Sequence, residues 1–197
     1  KQVFSWLAIG PALSNFAGPF AAGLLIDHGG FRLAFAALAL VPLLSWGWVR
    51  HQVAPTHPVA PAAAAAAAPA RAWDLMREPP FRRLMIVNWL LASCWDVHTF
   101  VVPVLGHERG MSASVIGSIL GAFAIAAAAI RVVLPAIAAR LEEWLVVMVA
   151  MLATALLFGL YPLLHAPLAM GVCSVVLGLA LGSVQPMIMS MLHQSTP

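Results

Sequence analysis

The chain has 197 residues, 62% of them hydrophobic and 9% charged, with a formal net charge of +3. A water-soluble domain is nearer half apolar and a quarter charged, and so short a chain cannot bury this surplus in one aqueous core. The composition excludes an ordinary soluble enzyme, and a nucleic-acid-binding domain too, because only ten basic residues are present and no stripe gathers them.

Six apolar segments are long enough to cross a hydrocarbon core, which takes about 20 helical residues. None alternates apolar and polar residues with period two, so helices rather than barrel strands are expected. The first, Val3–Ile26, carries Gly10, Ser14, Gly18 and Ala22 at every fourth position and is interrupted by Pro19. The second is Phe31–Val49. Between it and the third lies His51–Ala72, with Pro55, Pro58, Pro61, seven alanines at 62–68 and Pro69. Such a composition predicts an extended connector. The stretch from Trp73 to Pro80 reads as a short amphipathic surface helix stopped by Pro79 and Pro80.

The third segment, Leu84–Leu105, carries the most informative side chain. Asp96 sits near its middle, where an acidic group costs about 2.5–3.5 kcal/mol unless it meets water, protein or a partner. Asn88, Ala92, Asp96, Thr99 and Pro103 share one helical face and form a polar stripe. Asp96 is expected to bind a proton or a substrate cation; the competing reading is a structural, hydrogen-bonded carboxyl. His98 lies about 200° around the helix from Asp96 and reads as a packed or interfacial histidine.

The fourth segment, Ser114–Ala139, contains Gly117, Gly121, Arg131 and Pro135. Arg131 has a stem long enough to snorkel, and an anion contact is the alternative. The fifth is Trp144–Leu164. The sixth, Leu168–Leu192, contains Gly178, Gly182, Gln185 and Pro186. Gln185 would bond either substrate or a neighbouring helix. Small-residue ridges let helices approach closely in lipid, and each proline frees a backbone carbonyl one turn earlier, so kinked helices are expected.

With six crossings, both ends, the stretch 50–83 and the loop at Arg140 share one side. That side carries Lys1, Arg50, Arg71, Arg77, Arg82, Arg83 and Arg140, against Arg32 and Arg109 opposite. The bias makes the richer side cytoplasmic. A multi-pass protein of the cell (inner or plasma) membrane is therefore expected, with both ends and residues 51–83 in the cytoplasm. The first segment is too long for a signal peptide and lacks a cleavage site. The start at Lys1 and the end at Pro197 read as truncation at both ends.

At this point the residues suggest a family. Ser14-Asn15-Phe16-Ala17-Gly18-Pro19-Phe20-Ala21-Ala22-Gly23 resembles the Gly-Pro-x-x-x-Gly antiporter signature on the fifth helix of the major facilitator superfamily. Asp27-His28-Gly29-Gly30-Phe31-Arg32 resembles the Asp-x-x-Gly-x-Arg turn that leads to its sixth helix. The Ala/Pro connector sits where that family joins its two six-helix halves, and Gly178–Pro186 resembles its tenth helix. The loop after Ala139 lacks most of the family's basic loop pattern, with only Arg140 matching in part.

The resemblance implies an all-α polytopic bundle covering helices five to ten of twelve. Residues 1–50 would close the N-terminal half, 51–83 would form the cytoplasmic linker, and 84–197 would open the C-terminal half. It implies secondary active transport of a small solute by alternating access, in the form of proton-coupled export, with Gly18, Pro19, Gly23, Asp27, Gly30, Arg32 and Pro186 as conformational positions. Asp96, Asn88, Thr99, Gln185 and Arg131 would line the substrate and proton pathway. An importer of an organic acid or sugar, and a membrane scaffold or receptor, are the alternatives. The expected partners are a small-molecule substrate, protons and the lipid bilayer, with no nucleic acid, and the complete protein would be a monomer. No cofactor or metal is expected: Cys94 and Cys173 fall in apolar segments, the seven histidines are scattered without ligand spacing, and no nucleophile has a paired base.

Overall fold

The computed structural model describes residues 2–51, 78–137 and 142–195. Among these the regular structure is helical: α1 (Gln2–His51), α2 (Pro79–Glu108), α3 (Ala113–Ile137), α4 (Glu143–Leu160), a 3₁₀ turn (Tyr161–Leu163) and α5 (Pro167–Ser195). Among the described residues five helices are long and apolar enough to cross a membrane. Six were expected. The difference lies in α1, whose apolar run of 39 residues is about twice the length one crossing needs. Gly30 breaks it, at φ 72° and ψ 177°, a conformation that a Cβ would strain. The expected first and second segments are thus the two arms of α1, and Asp27 lies at the turn between them.

Pro79 and Pro80 begin a helix, and the short surface helix expected before them lies outside the described residues. They occupy the first turn of α2, where a missing N–H costs nothing and the fixed φ is already helical. The connector 52–77 and Arg140 lie outside the described residues. The far end of α2 closes with Gly110 at φ 71°. There the Gly110 N–H donates to His107 O at 3.0 Å and the Met111 N–H to Gly106 O at 2.9 Å, which satisfies two terminal carbonyls.

No break occurs at Pro19, Pro103 or Pro186, through which α1, α2 and α5 continue. Among the described residues, the non-helical backbone inside a helix falls at Gly30 instead.

Helix α3 lies between α1 and α5, and glycine permits both contacts. A Cβ at Gly117 would collide with the Pro19 carbonyl, and one at Gly121 would stand 2.8 Å from the Phe16 ring. On the other side, a Cβ at Gly182 would lie 2.7 Å from the Ala127 Cα, and one at Gly178 would strike the Phe123 carbonyl. In lipid there is no water to expel between helices, so such close backbone contact is a main source of cohesion. Among the described glycines of α1 the tightest approach to another helix is at Gly23, against the Ala113 carbonyl; Gly18, counted in the expected ridge, faces open space.

The core holds Phe123, Met170, Leu177, Ile188, His98, Val102 and Ser174, all fully buried. By contrast, the second arm of α1 exposes Phe35 at 69% and Trp48 at 73%. Continuous apolar exposure on that scale suits hydrocarbon and not water.

Candidate functional site

A cavity of about 370 Å³ opens where α1, α2, α3 and α5 converge. α2 contributes Asn88, Ala92, Trp95 and Asp96, which are one turn apart and so share a face. α1 adds Asn15, α3 adds Arg131, and α5 adds Gln185. Of the five pathway residues expected from sequence, four line this cavity. Thr99 does not; its hydroxyl donates to the Asp96 carbonyl at 2.9 Å, a local bond one turn along the same helix.

The charges in the cavity are unusual in their arrangement. The Arg131 guanidinium lies 5.6 Å from the centre of the Trp95 ring, within cation–π range. Trp95 is itself braced edge-on against Phe123 at 4.5 Å between ring centres. Among the described residues no ion pair joins Arg131 to Asp96, and neither side chain's charged atoms make a hydrogen bond to protein. One carboxylate, one guanidinium and three amides therefore face a common space. From sequence Trp95 could stack on substrate but reads first as a packing residue, and Asn15 is marked only as part of the helix-five signature. Each belongs to a segment whose cavity-facing side depends on how the helices pack.

His98 lies elsewhere. Its Nε2 is 3.1 Å from Tyr161 Oη and 3.1 Å from Ser174 Oγ, and the two hydroxyl oxygens are 2.6 Å apart. The imidazole stacks on Phe123 at 4.2 Å, and its Nδ1 has no partner among the described residues. This triad ties α2 to the 3₁₀ turn and α5 inside the core, and His98 does not line the cavity.

At one end of the bundle Asp27, one of the positions expected to be conformational, meets the start of α3. The backbone N–H groups of Ala113 and Ser114 donate to the Asp27 carboxylate at 2.9 and 2.8 Å. These are unpaired donors of the first turn of α3, and a carboxylate is the group that terminus favours. Hydrogen bonds from Ser114, its side chain first and then its amide, hold the Asp27 carboxyl below its ordinary value, with Ala113 and Ser112 adding to the effect. Nearby, Arg109 donates to the carbonyls of Leu164, Tyr161 (3.3 Å) and Pro162 (3.0 Å), neutralising the C-terminal end of α4 and its 3₁₀ extension. Sequence reading used Arg109 only as a topological charge. Arg32 makes no hydrogen bond or ion pair among the described residues, and Gly23 and Pro19 act through close backbone packing.

Cys94 and Cys173 are free thiols, half-buried and buried. Residues 1–197 match the family model described as Major Facilitator Superfamily. No curated protein and no solved structure matches the chain. The family's members are membrane transporters and not enzymes. With the family model matched from end to end and an all-helical, membrane-spanning architecture, the chain belongs to the major facilitator superfamily.

Proposed function

We propose that the protein is a proton-coupled exporter of a small organic solute, in which the Asp96 cavity is the transport site. The observation that carries this reading is an unpaired carboxylate lining a cavity shared by four helices of a membrane transporter. A charge kept at membrane depth, where it is expensive, is retained for work. Residues 1–50 and 84–197 belong to two halves that rock about the site, and the linker 51–83 and both ends are cytoplasmic.

The chemistry is competition. Facing the cytoplasm, the Asp96 carboxylate releases its proton and accepts solute. Facing outward, it exchanges solute for a proton, and the downhill return of that proton drives the cycle. Asn15, Asn88 and Gln185 supply neutral donors and acceptors that orient the solute in either state.

The test is the intact protein in proteoliposomes. Asp96→Asn should abolish flux driven by a proton gradient, while solute-for-solute exchange across the membrane persists at reduced affinity. Reversing the gradient should reverse net flux in the wild type, with solute moving against the proton. Gradient-driven transport at wild-type rate in Asp96→Asn would remove the coupling role. Solute moving in the same direction as the proton would favour the importer.

A further inference from the structure

The cavity holds two opposite charges that do not touch each other, and this constrains its cargo. Asp96 and Arg131 both line it, both are exposed, and no ion pair joins them. Arg131 is instead held against the Trp95 face, which orders the guanidinium without neutralising it. A ligand of single charge would satisfy one of the pair and leave the other without a partner at membrane depth, where a charge is expensive. A neutral ligand would satisfy neither. A molecule carrying both signs satisfies both.

We propose that the transport site selects amphoteric organic solutes, with a carboxylate or similar planar oxyanion on Arg131 and a basic nitrogen on Asp96. This rests on the cavity being the transport site, as proposed above. The planar fork of Arg131 suits a two-oxygen anion, and a charged nitrogen beside Asp96 competes directly with the coupling proton. The cavity, about 370 Å³, falls within the size range of sites for metabolites and small drugs. The uncharged part of the solute meets Leu91, Leu181 and Val184, which line the remaining wall. Asn15, Asn88 and Gln185 add neutral contacts and do not discriminate between signs.

The test uses the intact protein in lipid nanodiscs and a panel of small organic solutes sorted into amphoteric, anionic, cationic and neutral classes at pH 7. Binding is read by thermal stabilisation and confirmed by calorimetry. The stabilising compounds should be amphoteric. Converting the acid of such a compound to its amide, or acylating its amine, should each weaken binding about ten-fold or more, the scale of one charge-assisted hydrogen bond. Arg131→Gln should weaken the parent compound similarly and abolish the penalty for amidation. Asp96→Asn should abolish the penalty for acylation. Stabilising compounds drawn from a single-charge or neutral class, none from any class, or penalties that persist in both variants would overturn the proposal. Proton coupling is scored separately, by pH-dye-loaded proteoliposomes. Amphoteric binding without proton movement would defeat the coupling and leave the charge pairing standing.

Discussion

Asp27 accepts a hydrogen bond from the Ser114 amide at 2.8 Å, although the two lie 87 residues apart in the chain. The carboxylate at the turn of α1 thereby caps the helix against which α1 packs. A signature that looks local in sequence therefore acts across a helix–helix contact. The glycine contacts at Gly23 and Gly117 bring α1 and α3 close, and the cap fixes their register at one end.

Removing that cap should loosen this end of the bundle. Asp27→Ala is expected to lower the unfolding temperature in detergent, and Asp27→Asn to lower it less, since one amide oxygen still accepts. The folded-state carboxyl titrates below its ordinary value, so its stabilisation is complete above that value and fades as pH falls through the depressed one. A wild type whose advantage over Asp27→Ala did not shrink in acid would show that the contact carries no charge-dependent stability.

The α3 contacts predict a steric asymmetry. Gly117→Val or Gly182→Val drives side-chain atoms into the Pro19 carbonyl or the Ala127 backbone and should destabilise the fold by about 1–3 kcal/mol. Gly18→Val has open space and should be tolerated. Folded yield and thermal unfolding of the three variants check the difference.

The His98 triad is structural by its position, and its members should be energetically coupled. Tyr161→Phe leaves the buried imidazole and Ser174 with one partner fewer and should cost about 1 kcal/mol. Ser174→Ala should cost a similar amount. The double variant should cost less than the sum, because the two hydroxyls share the His98 nitrogen. Additive losses would show that the three groups act independently.

Much of the fold was legible because lipid imposes simple rules. Apolar length marked the helices, and glycines spaced by four at 117/121 and 178/182 marked close contacts. What escaped reading depends on which faces meet. Gly18 and Gly23 look equivalent in sequence, yet only Gly23 touches α3. Pro79 and Pro80 also start α2, since proline suits a first helical turn and the apolar run after them continues the helix. Asn88, Asp96, Arg131 and Gln185 are polar groups in apolar segments, and that pattern alone marks residues that line the cavity. Thr99 was on the right stripe but spends its hydroxyl on the backbone. The contacts of His98 with Tyr161 and Ser174 span 63 and 76 residues, and no local pattern announces them.

The most direct test of the account asks whether the cavity is a water pathway reached from each side in turn. In the intact protein, with Cys94 and Cys173 replaced by serine, Asn88→Cys would be exposed to a membrane-impermeant maleimide from either face. The account predicts labelling from both faces, with the favoured face changing when the proton gradient is reversed, and protection by transported solute. A thiol at position 88 that stays inert from both faces until the protein is denatured would contradict it.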